Sequence, residues 1–220
     1  MFYKDIPTLI TRIVIPGFWT TVYMLIMATV TCTICGFILA IILVLTDKKG
    51  LKPNHFIYES LSILINIVRS TPFVILIISI IPLTRMVVGK AIGPNAAVFA
   101  ITVAGSPLVA RLLETSLKEV DPGLIEAAKS FGASDWHIIL HVLIHEAVPS
   151  IVSNMTLAIV SILGYTAMAG IVGAGGLGAV ALTYGYQNFD DAVMYSTVLI
   201  LVIFVQIIQH VGLLIYRKLK

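Results

Sequence analysis

Four long stretches of this chain contain no Asp, Glu, Lys or Arg: residues 13–46, 91–110, 147–189 and 192–216. A helix needs about 20 apolar residues to cross the roughly 30 Å hydrocarbon layer of a membrane. Lipid offers no partner for backbone N–H and C=O groups, so only helices and closed barrels span it. The stretches lack strict apolar–polar alternation, which excludes a barrel. The pattern therefore predicts an all-α polytopic membrane protein, one membrane domain over residues 1–220. Five spans are expected, at 19–45, 57–83, 95–113, 149–171 and 192–216, separated by a polar interval at 114–148.

Composition agrees: 59% of residues are apolar and 11% charged, where soluble domains carry about 25% charged residues. The basic residues set an orientation, because Lys and Arg collect on the cytoplasmic side. With five spans, one side holds Lys48, Lys49, Lys52, Arg111, Lys118, Lys129, Arg217, Lys218 and Lys220, and the other only Lys4, Arg12, Arg85 and Lys90. The N-terminus is thus expected outside, and the C-terminus and the 114–148 loop in the cytoplasm. The first apolar stretch is too long for the 7–15 residue core of a cleaved signal, and Asp5, Pro7 and Pro16 precede or interrupt it. The net charge of +3 is spread beside the spans and does not point to nucleic acid.

The 114–148 interval reads as two short helices around a glycine. Asp121 is placed as an N-cap with Pro122 at the first helical position. Gly132 suits a left-handed stop, and Ser134 can cap a second helix over about 135–147. DNA reading is disfavoured, since both ends are tethered to spans and no basic recognition face exists. His137, His141 and His145 share a helical face; a wet face beside headgroups or a partner is favoured over a metal site, because the H-E-x-x-H pattern is absent.

Within the spans, Arg69 costs about 2.5–3.5 kcal/mol on insertion scales; anchoring or packing, a place in a permeation path, and coupling geometry are its three readings. Cys32 and Cys35 have C-x-x-C spacing, but on a membrane helix with no second pair they read as packing residues. On span 4, Ser150, Ser153, Asn154, Ala158, Ser161, Gly164, Tyr165 and Met168 recur at three- and four-residue steps. This small, weakly polar stripe serves either close helix packing or the lining of a pathway at a two-fold interface, with Met168 as a polarizable plug. Gly173-Ala174-Gly175-Gly176-Leu177-Gly178 fits G-x-G-x-x-G only formally, since a span and not a strand precedes it; it reads as a tight extracytoplasmic turn. No G-x-x-x-x-G-K-[ST] occurs, so the chain has no P-loop for ATP.

Glu126-Ala127-Ala128-x3-Gly132 resembles the cytoplasmic coupling loop of ABC importer permeases. Arg69-Ser70-Thr71-Pro72-Phe73, Ile92-Gly93-Pro94-Asn95-Ala96-Ala97, Gly164-Tyr165-Thr166-Ala167-Met168-Ala169-Gly170, Gly175-Gly176-Leu177-Gly178 and Tyr184-Gly185-Tyr186-Gln187 are similar to the methionine-importing members, from about Thr20 to the C-terminus. The resemblance implies a multi-pass permease of the cytoplasmic (inner) membrane, not itself an enzyme and without a cofactor or metal. The implied partners are a second copy of the chain, two ATP-binding subunits at the loop and an extracytoplasmic solute-binding protein. It places coupling on Glu126, Ala127, Ala128, Gly132 and Asp135, and offers Asn154, Ser161, Tyr165 and Met168 as candidates for the pathway. One departure is visible: the Leu-Pro pair about a dozen residues after the glycine is replaced by Ile144-His145, leaving Pro149 to make the bend.

Two rival classes are weaker. An ion-coupled secondary transporter commonly shows internal repeats and intramembrane ionisable relays, and the spans hold little beyond Arg69 and His210. An intramembrane enzyme lacks a nucleophile–base pair.

Overall fold

The computed structural model describes residues 10–219. A π-helical turn, Ile10–Val14, leads into α1 (Ile15–Thr46), followed by α2 (His55–Ser70), α3 (Phe73–Ser79), α4 (Ile81–Val88), α5 (Pro94–Lys118) and α6 (Pro122–Ser130). Then come α7, one continuous helix over Asp135–Val172, the short α8 (Gly176–Val180) with a π-helical continuation at Ala181–Gln187, and α9 (Asp191–Leu219). Among the described residues there is no strand, and four helices (α1, α5, α7 and α9) are long and apolar enough to span a membrane. The bent pair α2 and α3 makes the fifth.

Three expectations need correction. Span 1 begins earlier than residue 19, at Thr11, the π-helical turn Ile10–Val14 running into α1 with Pro16 just past the junction. Span 2 is not one rod over 57–83. It breaks after Ser70 and turns by 105° into α3. The residue before a proline is pushed out of the helical region, and Thr71 accordingly has ψ of 124°. The coupling segment at 135–147 is not a separate helix but the first turns of α7, which runs through Pro149 without a break. A proline inside a membrane helix is tolerated where neighbours satisfy the freed groups, and a widened π-helical stretch, Ile138–Leu143, lies just before it.

Lipid tails are as apolar as side chains, so membrane helices associate through close approach and hydrogen bonds. α1 and α5 form the central pair on this principle. Ala28, Ala40, Ala100 and Ile101 are buried between helices. A Cβ on Gly36 would come within 2.7 Å of Val109, and one on Gly105 within 2.6 Å of the Cys32 sulfur. Cys32 is thus a packing residue, its thiol 3.5 Å from the Ile101 carbonyl oxygen. Thr31 and Thr102 share a hydroxyl hydrogen bond of 2.6 Å, and Tyr23 donates to Asn95 Oδ1 at 2.7 Å.

The glycine-rich 173–178 segment is a tight turn, as anticipated, and it folds α8 back against the end of α7 and onto α1. The Leu177 N–H donates to Thr21 Oγ1 at 2.8 Å. Gly178 lies directly on the Ala167 carbonyl group, with no room for a Cβ. Overpacking of this kind costs typically 1–3 kcal/mol. Gly178→Ala is therefore expected to lower stability in detergent by about that amount, read as a drop in thermal midpoint. An unchanged midpoint would refute the tight α7–α8 contact.

Candidate functional site: the α6 elbow and the polar end of the bundle

The elbow is built by its own sequence. Asp121 accepts the Gly123 N–H at 2.8 Å, capping α6, and Ser134 accepts the His137 N–H at 3.3 Å, capping α7. Gly132 has φ of +76°. Its N–H reaches the Lys129 carbonyl at 2.9 Å, while the Ala133 N–H reaches that of Ala128 at 3.1 Å. This is the paired bonding of a Schellman stop.

The outward surface of the elbow is unusual for a water-facing segment. Phe131 is 92% exposed and Trp136 67%, with Leu124 also exposed. Glu126 and Ala127 are exposed beside them, whereas Ala128 is half-buried against the bundle, near Leu117, Ile138 and Leu143. Glu126 forms no ion pair among the described residues. Asp135 meets Lys52 at 3.4 Å, which ties the α1–α2 loop to the start of α7. The exposed aromatics Phe131 and Trp136 were missed in the sequence. Their signal was a large ring beside the stop glycine and another one residue past the α7 start, in a segment polar enough that neither belongs to a span.

Behind the elbow lies a charge network that no motif announces. Glu114 is 4% exposed. Its Oε2 accepts Arg111 Nη1 at 2.7 Å, and its Oε1 accepts Lys118 Nζ at 2.7 Å and the Tyr58 hydroxyl at 3.1 Å. Lys118 also reaches Asp47 Oδ2 at 2.6 Å and sits 5.0 Å from the Tyr58 ring centre. Arg111 extends to Asn66 Oδ1 at 3.4 Å. The network joins the end of α1, the start of α2 and the last turns of α5. Partial burial raises the pKa of Asp47, but hydrogen bonds from Lys118 and the Lys49 N–H, with the charges of Lys118 and Lys48, outweigh it and hold the carboxyl below its usual value.

The candidate pathway residues are placed unequally. Asn154 is turned to α5, its amide donating to Ser116 Oγ at 2.7 Å and to the Leu112 carbonyl at 3.2 Å. Ser150 likewise donates to Glu119 at 2.6 Å. Ser153, Leu157, Gly164 and Met168 are exposed, with Ser161 half-buried among them. They form one face of α7 that touches no other element strongly, and a Cβ on Gly164 would meet nothing within 4 Å. Tyr165 turns inward, its ring stacked on Phe73 at 4.6 Å and 20°. His137 and His141 stack at 4.4 Å, and among the described residues no group of three or more His, Cys, Asp or Glu converges as a metal site.

A bundle of five crossings, one of them broken, with a rigid aromatic elbow at one end and no nucleotide-binding motif, defines a membrane-embedded transport component. The chain belongs to the family described as the binding-protein-dependent transport system inner membrane component, matched over residues 32–220. Its place in the inner membrane follows from that membership. It is 44% identical over 200 residues to a probable D-methionine transport system permease protein MetI of Vibrio cholerae, covering 91% of this chain and 89% of the relative. It is 46% identical over 175 residues to the methionine import system permease protein MetP of Bacillus subtilis, covering 79% and 78%. An inward-facing crystal form of the MetNI methionine ABC transporter contains a chain that superposes with a TM-score of 0.94 at 36% identity, over 98% of this chain and 99% of that one.

Two outcomes follow from the network. Removing the buried Glu114 carboxylate leaves Arg111 and Lys118 partly exposed and with other partners, so Glu114→Ala is expected to destabilise the chain by about 1–3 kcal/mol in denaturant titrations of the detergent-solubilised protein; a loss well under about 1 kcal/mol, as for exposed pairs, would demote the network. Because the folded pKa of Asp47 lies below its unfolded value, its contribution is complete above about pH 3.9 and fades as pH falls through the lower folded value. Asp47→Asn should flatten that acid limb of the thermal midpoint against pH.

Proposed function

We propose that the chain is the permease subunit of an ATP-driven importer for methionine, working as a homodimer with two ATP-binding subunits and an extracytoplasmic solute-binding protein, and is not itself an enzyme. The observation that carries this reading is the aromatic, self-capped elbow around Gly132: a finished lever at the polar end of a chain with no ATP site of its own. Relatives named for methionine transport, across most of the chain's length, support the substrate.

In this reading the basic end of the bundle faces the cytoplasm. Phe131, Trp136 and Leu124 enter a groove of the ATP-binding subunit, Ala127 allows close approach, and Glu126 meets a basic group of the partner. Because α7 runs unbroken from Asp135 to Val172, motion at the elbow reaches the far side of the membrane along one rod. Asp135 and Lys52 carry part of it to the α1–α2 loop. The open face of α7, with Ser161, Gly164 and Met168, meets its two-fold mate and lines the path. Tyr165 forms its inner wall, and Asn154 braces the rod on α5.

Gly132→Arg, forced into a left-handed backbone that side chains avoid, and Phe131→Ala are each expected to reduce copurification with the ATP-binding subunit and methionine uptake into proteoliposomes at least tenfold. Full association in both variants would overturn the docking assignment. In a background lacking Cys32 and Cys35, Gly164→Cys should form a disulfide between two copies upon mild oxidation. A residue that reacts only with lipid-soluble reagents would place that face against the bilayer instead.

A further inference from the structure

We propose that Arg69 is the carboxylate anchor of a transient substrate site inside the membrane domain, and that the half-buried Tyr165 ring, backed by the buried Phe73, is the surface against which the substrate's thioether passes. The inference rests on the methionine-importer reading and deepens it. Three independent placements carry it.

The first is depth. Arg69 lies fourteen residues after His55, so at a helical rise of 1.5 Å it sits about 21 Å along α2 from the polar start of that helix, well inside the bilayer. The second is facing. Ser62 and Ile65, seven and four residues earlier on α2, are both buried in the bundle, so Arg69 stands on the inward stripe of the helix and not on the face of Ile63, Leu64 and Ile67. Yet Arg69 itself is exposed: it looks into space that this chain does not fill. The third is company. The 105° break after Ser70 swings Phe73 back into the bundle and onto Tyr165, and the Arg69 guanidinium lies within electrostatic reach of the Tyr165 phenol. Phe73, Tyr165 and Cys32 of α1 pack in one cluster, so the break in span 2 abuts both α1 and α7.

An intramembrane cation calls for a counter-charge. None is available from the chain at that depth. Residues 60–113 and 147–189 contain no Asp or Glu, and among the described residues Arg69 has no acidic or hydrogen-bonding partner. A free amino acid brings a carboxylate that a guanidinium grips with two parallel hydrogen bonds. At the C-terminal end of α2 Thr71 already takes the Ile67 and Val68 carbonyls, which leaves those of Arg69 and Ser70 for the ammonium, as helix C-termini favour cations. A thioether sulfur is favourably placed about 5 Å from an aromatic ring, which the half-buried Tyr165 supplies. Met168, one turn further along α7 and 46% exposed, continues the soft surface toward the next level. The break in span 2 gains a purpose from this arrangement: irregular backbone at membrane depth occurs where it lines a cavity, and broken spans frame substrate sites in other transporters.

The test uses the complete complex, the permease with its ATP-binding subunits, in nanodiscs without the binding protein, probed with radiolabelled L-methionine. Saturable binding to the wild type is expected, competed by unlabelled methionine but at least tenfold less well by methioninamide, which keeps the thioether and lacks the carboxylate. Equal competition, or no specific binding by a complex that transports, overturns the proposal; it would leave Arg69 paired with lipid phosphate or water. Arg69→Gln should lose binding at least tenfold and Arg69→Lys retain more of it, with both variants copurifying with the ATP-binding subunits. Wild-type binding and uptake by Arg69→Gln would also refute it. If Arg69→Gln fails to assemble, the wild-type competition alone decides. The importer reading fails separately, if wild-type proteoliposomes show no ATP- and binding-protein-dependent uptake of methionine.

Discussion

The carboxylate of Glu114 holds the polar end of this molecule together. Two cations and a phenol converge on it from α2 and α5, and through Lys118 it reaches Asp47 at the end of α1. Taking such groups out of water costs several kcal/mol per ion even after relaxation, so the network is poor material for stability alone. Its geometric effect is plainer. Three helices whose other contacts are apolar, with Leu43, Ile65 and Ala110 among them, are locked in register here, near the elbow. The exposed Lys52–Asp135 pair adds a weak tie from the α1–α2 loop to the start of α7, since exposed pairs contribute at most about 1 kcal/mol.

Beyond that network the bundle loosens in an ordered way. α1 and α5 approach through Gly36 and Gly105, with threonine hydroxyls between them, and α7 leans on α5 through Asn154 and Ser150. α9 is mostly exposed; it packs where Gly212 meets Thr156 and where Val193 is buried with Val14, Leu177 and Val180. The opposite face of α7 is left open. A single chain therefore has a tightly packed back, built on α5, and an open front on α7.

What could be read from the chain divides by range of interaction. The elbow was legible because every signal is local: Asp121 and Pro122 start α6, Gly132 ends it and Ser134 starts the next helix, each within four residues of its partner. Span number and approximate position followed from length and hydropathy. The break in span 2 was written in Thr71–Pro72, but unbroken hydropathy on either side masks a bend, since a turned pair and a straight rod have the same composition. The Glu114 network was hidden for another reason. Asp47, Tyr58, Arg111 and Lys118 look like ordinary interfacial charges, and only the packing of α1 and α2 on α5 brings them to one carboxylate. Asn154 illustrates the limit on span 4: periodicity put it on the weakly polar stripe, but could not say that α5 would claim its amide.

The Schellman stop at Gly132 has an energetic consequence beyond shape. Since α6 is terminated by its own backbone and capped by its own aspartate, the helix is formed before any contact with another chain. Association with a disordered segment surrenders part of the contact energy to ordering it, commonly 2–5 kcal/mol or more. Here little beyond the rotamers of Phe131 and Trp136 is left to freeze, at about 0.5–1.5 kcal/mol per immobilised side chain. Preorganisation of this kind lets a small contact surface bind firmly.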